Sequence, residues 1–298
     1  MLAVALTLLL VTSPRPGGTA TIDVSVATLW RAPGIARAID APALANPVDL
    51  DRWNRNLATT ASRAWLDSRV VTQALYGEKV TVLAVRGRWA KVAVADQPTP
   101  LDRRGYPGWL RLGQLAGPVS DVGAERIVQS RTAVLHLPGR ALRLSYGTRL
   151  PVTGKNAHGN WRVRTPDGPG WIVRASLGKA PAPTGASIVA AAERFRGLRY
   201  LWGGVSAWGF DCSGLVWDVF RAHGVTVPRD TGPQSRGGRR IRAGSLRPGD
   251  LVFYGSPVTH VAIVAGHGRM IESPDSAHGV RVVTLRSGFA SARRYAKG

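Results

Sequence analysis

The chain carries one cysteine in 298 residues. An intramolecular disulfide is therefore excluded, and so is a cysteine-rich zinc site. Its six histidines show no ligand spacing such as His-x-x-x-His, so neither metal nor cofactor is expected. Acidic residues are also scarce, 18 against 40 basic ones, and the formal charge is +22. Such a balance first suggests nucleic acid. The basic residues are mostly scattered arginines with no run of five or more, so no nucleic-acid partner is expected. A basic exported protein that meets anionic surfaces and acidic substrates fits better. The apolar run Leu2–Val11 is too short to span a membrane and has signal-peptide length. Small residues at Gly18–Ala20 mark an expected cleavage point, although no Lys or Arg precedes the apolar run.

The lone cysteine sits in Gly209-Phe210-Asp211-Cys212-Ser213-Gly214. A Gly-rich turn, Trp202-Gly203-Gly204, precedes it. Leu215, Val216, Val219 and Phe220 follow at helical spacing up to Gly224. A thiol at a helix N-terminus feels the positive end of the macrodipole, which favours thiolate. Most free cysteines are small buried hydrophobes, but Asp211, Ser213 and three glycines are poor surroundings for one. Forty-eight residues later, His260 leads a strand-like run, Val261-Ala262-Ile263-Val264. A nucleophile on a helix with a base on a strand is the arrangement of papain-like cysteine hydrolases.

Four segments in order carry a resemblance. They are Tyr200-Leu201-Trp202-Gly203-Gly204, Phe210-Asp211-Cys212-Ser213-Gly214-Leu215-Val216, Arg247-Pro248-Gly249-Asp250-Leu251-Val252-Phe253 and His260-Val261-Ala262-Ile263-Val264. Together they resemble the catalytic domain of the NlpC/P60 cell-wall cysteine peptidases. The resemblance implies Cys212 as nucleophile, His260 as base and a third polar residue that orients the imidazole. That third position falls on Glu272, where the family often has histidine. A carboxylate can accept the imidazole N–H and stabilise the imidazolium. A thioester intermediate is implied, with the oxyanion held by backbone N–H groups at the helix start. Tyr200, Trp202 and Ser213 are expected around that pocket.

Upstream lies an internal repeat. Tyr76-Gly77, Gly87-Arg88-Trp89 and Pro107-Gly108-Trp109 recur as Tyr146-Gly147, Gly159-Asn160-Trp161 and Pro169-Gly170-Trp171. Short strands with glycine turns make small β-barrels, and the units resemble bacterial SH3 domains. Trp53, Leu57, Ala61, Ala64 and Trp65 lie at helical spacing in a long insertion of the first unit. The expected architecture is α+β: a leader or anchor over 1–20, an SH3-like domain with helical insertion over 21–117, and a second over 118–180. A papain-like catalytic domain follows over 181–298.

This combination resembles a narrower group, the γ-D-glutamyl-L-diamino-acid endopeptidases. It implies that Glu78, Tyr106, Asp211 and Ser213 bind the free amine of an N-terminal L-Ala. Buried acceptors would then reject an amine-blocked peptide. Arg229 and Asp230 are either a grip on the diamino acid's charged end or an ordinary loop pair. The expected partners are peptidoglycan-derived peptides and the anionic envelope. The expected state is a monomer in the periplasm, in the cell wall or secreted, with an uncleaved membrane anchor as the variant. Two alternatives stand beside the free-peptide enzyme: a hydrolase of intact wall with SH3 anchors, and a silent wall-binding protein.

Overall fold

A computed structural model describes residues 14–120 and 122–296. The apolar segment Leu2–Val11 lies outside the described residues. Seven strands form the first barrel: β1 (Thr19–Ile22), β2 (Val26–Trp30), β3 (Val70–Leu75), β4 (Lys79–Arg86), β5 (Trp89–Val94), β6 (Tyr106–Arg111) and β7 (Leu115–Ala116). They pair in the order β3-β2-β6-β5-β4-β1-β7. The second barrel contains β8 (Ala124–Val128), β9 (Thr132–Leu137), β10 (Arg140–Ser145), β11 (Arg149–Lys155), β12 (Trp161–Thr165), β13 (Gly168–Ile172) and β14 (Leu177–Gly178). Its order, β10-β9-β13-β12-β11-β8-β14, is the first one moved along by seven strands. The sequence repeat is thus a repeat of topology.

The shared Tyr-Gly has a physical reason. Gly77 and Gly147 turn the chain at φ of +80° and +77°, a region that favours glycine. The tyrosine before each faces away from its own barrel. Tyr76 is buried in the core of the second barrel, and its hydroxyl donates to Asp167 at 2.9 Å. Tyr146 is buried in the catalytic core, edge-on to Phe195 at 5.5 Å.

Two expectations are corrected. β1 begins at Thr19, and the Gly17 N–H already donates to Val82. A cut near Ala20 would remove half of this strand, so the first barrel includes residues assigned above to the leader. The insertion is not one amphipathic helix but three short ones: α1 (Ala41–Leu44), α2 (Leu50–Asn56) and α3 (Thr60–Ala64). α2 ends at Asn56 with Leu57 as its C-cap, and a new cap at Thr59, which accepts from the Ser62 N–H at 3.0 Å, restarts the phase. Trp53 and Leu57 are buried as expected, whereas Ala61 and Ala64 are exposed and Arg63 and Leu66 are buried.

The catalytic domain starts with α4 (Gly185–Glu193), capped by Thr184 and Ser187. The hairpin β15 (Val205–Ser206) and β16 (Gly209–Phe210) leads into α5 (Cys212–Ala222), and α6 (Thr231–Arg236) follows. The strands β17 (Arg239–Arg240), β18 (Leu251–Tyr254), β19 (His260–Gly266), β20 (Arg269–Glu272), β21 (Arg281–Thr284) and β22 (Ser291–Arg294) form one sheet, ordered β17-β22-β18-β19-β20-β21. Leu215, Val216, Val219 and Phe220 of α5 share a core with Val261 and Ile263 of β19. That packing fixes the helix bearing Cys212 against the strand bearing His260.

The first barrel is fused to this domain. Trp30, Trp53, Val70 and Trp89 share one buried cluster with Leu201, Val205, Trp208 and Trp217. A Cβ on Gly203 would come within 2.6 Å of Val70 Cγ1, so glycine permits the close approach.

Candidate active site

Cys212 is the first residue of α5, half-buried, with Sγ 3.6 Å from the Thr231 hydroxyl. Asp211 caps the helix by accepting from the Gly214 N–H at 2.6 Å. Gly214 is needed here, because a Cβ would sit 2.0 Å from the Gly204 carbonyl oxygen. Its absence lets the Trp202-Gly203-Gly204 turn close over the helix start.

His260 opens β19. Its Nε2 lies 2.8 Å from Glu272 Oε2, which leaves the other ring nitrogen for the thiol. Burial pushes the imidazole down, but hydrogen bonds to Cys212 and Glu272 outweigh it and raise the pKa to about 9. Glu272 is fully buried. Burial pushes its carboxyl up, yet hydrogen bonds from His260, Arg286 and Arg281 hold it well below the usual carboxylate range. The expected contact between Glu272 and the imidazole is therefore present in the geometry. The two arginines were missed, although Arg281 stands directly across from Glu272 in the β20–β21 register. Among 40 basic residues neither stood out until that pairing was known.

Next to Thr231, the residue that touches Cys212 Sγ, Asp230 Oδ1 accepts from the Tyr106 hydroxyl at 3.1 Å. Asp230 holds the N-cap position of α6 without capping it, and burial raises its carboxyl. Burial and the facing Asp230 also push the Tyr106 phenol up. Arg229 is 1% exposed and donates to Thr72 (2.9 Å), Ser213 (3.0 Å) and both Asp211 oxygens (3.1 and 2.7 Å). Four of its five N–H groups are thus used internally. It ties the helix start to the first barrel and has no free fork for a diamino acid. Asp211 and Ser213 are its partners, with Ser213 also donating to Asp211 at 3.1 Å.

Glu78 is the clear correction. It is buried 2.9 Å from Arg221, near the C-terminal end of α5, nine residues from Cys212. That is about 13 Å along a helix axis. Burial raises its carboxyl to about 7 despite Arg221. It sits at the junction with the second barrel, beside Asp96, Glu125 and Arg149, and not with Tyr106. Tyr200 is buried, and its backbone is bridged to Phe210, two residues before Cys212; burial and the nearby Asp211 and Cys212 push its phenol up. Trp202 is half-buried and packs on the interdomain tryptophan cluster. Among the described residues no group of three His, Cys, Asp or Glu side chains could hold a metal ion.

A cysteine at a helix start, an imidazole on the adjoining strand and a carboxylate behind it define a papain-like cysteine peptidase. Comparison with known proteins agrees. The NlpC/P60 family profile matches residues 197–297, and that of the bacterial dipeptidyl-peptidase Sh3 domain matches residues 63–115. The gamma-D-glutamyl-L-lysine dipeptidyl-peptidase of Bacillus cereus is 38% identical over 303 residues, covering 93% of this chain and 90% of its own. The Bacillus subtilis enzyme of that name is 33% identical, covering 89% and 93%. The crystal structure of an NlpC/P60 family protein from Bacillus cereus superposes with a TM-score of 0.88 at 36% identity, over 94% of this chain and 100% of that one. The chain belongs to the NlpC/P60 family of cysteine peptidases.

Proposed function

We propose that the protein hydrolyses the γ-D-glutamyl–diamino acid bond of peptidoglycan stem peptides that carry a free N-terminal L-Ala. The observation that carries this reading is the Tyr106–Asp230 pair. It joins the first barrel to the catalytic domain and offers a half-buried carboxylate and a phenol next to Thr231, which touches Cys212. A peptide ammonium needs such acceptors in a nearly closed site. Asp230 takes the place given above to Glu78, and Asp211 contributes field more than contact, being held by Arg229. The names of the Bacillus relatives point to the same bond, with lysine as the diamino acid; meso-diaminopimelate is the variant.

The chemistry follows from the arrangement. The Cys212 thiolate attacks the γ-carbonyl of D-Glu. Backbone N–H groups at the start of α5, with the Tyr200 hydroxyl, take the oxyanion. The His260 imidazolium protonates the departing amine, leaving a thioester. Water, deprotonated by His260, then releases L-Ala-D-Glu and restores the thiol. The same reading places the protein outside the cytoplasm, where its charge of +22 favours contact with anionic envelope polymers.

The test is mass spectrometry of digests of L-Ala-γ-D-Glu-diamino acid and its N-acetylated form, with Cys212→Ala as blank. Cleavage of the free peptide alone supports the amine site. Equal cleavage of both refutes it and favours an enzyme of intact wall.

A further inference from the structure

We infer that Arg281 and Arg286 are positioning residues of the catalytic pair, clamping Glu272 as an oriented anion behind His260. This rests on Cys212 and His260 being the reacting groups.

Glu272 is 0% exposed, and a lone carboxylate there would tend to take a proton rather than stay charged. Both of its oxygens are occupied. Arg286 forks across them, Nη1 to Oε1 at 3.0 Å and Nη2 to Oε2 at 2.8 Å. Arg281 closes on Oε1 through Nε at 3.0 Å and Nη2 at 2.9 Å. A bidentate guanidinium fixes the carboxylate plane. One direction on Oε2 is left, and the imidazole N–H fills it at 2.8 Å.

Each arginine is itself held. Arg281 is placed by the β20–β21 register. Arg286, in the loop after β21, lies over the Tyr254 ring at 4.7 Å, and the Tyr254 hydroxyl donates to the Arg286 carbonyl at 3.1 Å. The charged and titratable groups around His260 are thus Cys212 from α5, Tyr254 from β18, Glu272 from β20, Arg281 from β21 and Arg286 from the loop.

The clamp does two things. It aims the carboxylate, which orients the imidazole, and it offsets the carboxylate's charge. A bare anion would hold the imidazolium too tightly, whereas a general acid must surrender its proton to the leaving amine. Two nearby cations moderate that grip.

The experiment is the pH dependence of kcat and KM for wild type, Arg286→Gln, Arg281→Gln and Arg286→Lys. Each glutamine variant is expected to lose about tenfold in kcat, with KM unchanged. Its alkaline limb should move up by about one pH unit, because one compensating cation has gone while the remaining arginine still keeps Glu272 ionised. Arg286→Lys keeps the charge and loses the fork, so its kcat should fall while the limb stays. A kcat loss that is uniform across pH in both glutamine variants, or a limb that moves down, overturns the clamp. His260 Cε1–H NMR titration in a Cys212→Ala background reads the same displacement without turnover, and circular dichroism confirms folding. If wild type shows no cysteine-dependent hydrolysis, the reacting pair fails; if the NMR titration is unmoved by either substitution, the clamp fails.

Discussion

Replacing Glu272 by glutamine in a Cys212→Ala chain isolates what the carboxylate does for the imidazolium. Glutamine keeps the volume and one acceptor oxygen but removes the charge. In the intact protein the rise of His260 from the ordinary 6.5 to about 9 corresponds to about 3 kcal/mol, shared between Cys212 and Glu272 and opposed by burial. With the cysteine gone, the share of Glu272 is on the order of 1–2 kcal/mol. His260 binds its proton more tightly in the folded chain. Its stabilisation is therefore complete below about pH 6.5 and is lost as pH rises through the folded value. Urea unfolding, followed through the ten tryptophans, would be compared at about pH 6 and about pH 10. The Cys212→Ala protein should lose about 1–2 kcal/mol more across that interval than the Cys212→Ala/Glu272→Gln protein. Other titrating groups are common to both and cancel. The double variant should also be less stable at every pH, because Arg281 and Arg286 lose their anion, which is why the comparison is between slopes. Parallel profiles would refute the reasoning and leave the Glu272 contact without electrostatic consequence.

Tyr106→Phe and Asp230→Asn should each lower kcat/KM for the free-amine peptide by about 10–100-fold, the loss of a charge-assisted contact. Activity on the N-acetylated peptide should not fall further, and Glu78→Gln should leave the ratio between the two substrates unchanged; chromatography of the digests reads all three. Arg229→Met should destabilise by about 3–5 kcal/mol, since Asp211 would remain buried without its cation. Arg229→Lys should restore only part of that in urea denaturation, because it cannot reproduce the fork. Gly203→Ala would place a methyl within 2.6 Å of Val70 at a φ of +75°. It should lower the calorimetric Tm through a loss of about 1–3 kcal/mol, with the first barrel shifted off the catalytic domain. An unchanged Tm would mean that this contact relaxes freely.

Local chemistry was the legible part of this molecule. Cys212 and His260 announce themselves because a nucleophile at a helix start and a base leading a strand need particular neighbours, and those neighbours are consecutive in sequence. The Tyr-Gly, Gly-x-Trp and Pro-Gly-Trp repeat reported two barrels of one topology, since turn glycines and strand tryptophans recur with the strands they serve. What escaped depends on pairings distant in sequence. The place of Glu78 is set by which end of α5 the first barrel meets, and no local pattern encodes that. Arg281 and Arg286 became meaningful only once β20 and β21 were side by side. Arg229, left open between substrate grip and loop residue, is a buried brace because Thr72 arrives from a barrel 157 residues away. The insertion lost its phase at a three-residue break, where Thr59 offered a cap that an uninterrupted period ignores.

The two tyrosines of the repeat have a bearing on the order in which the chain is made. Each leaves its own unit and enters the next: Tyr76 fills the second barrel and Tyr146 fills the catalytic core. Synthesis from the N-terminus therefore releases units that each present an aromatic plug with no socket until the following segment has emerged. The last segment then turns back, as Leu201, Trp208 and Trp217 cover the tryptophan face of the first barrel. Such a circuit closes only when the final domain arrives, so a ribosome-stalled or truncated chain would display apolar surface at both its first and its latest unit, and quality control would have a signal that the finished protein lacks.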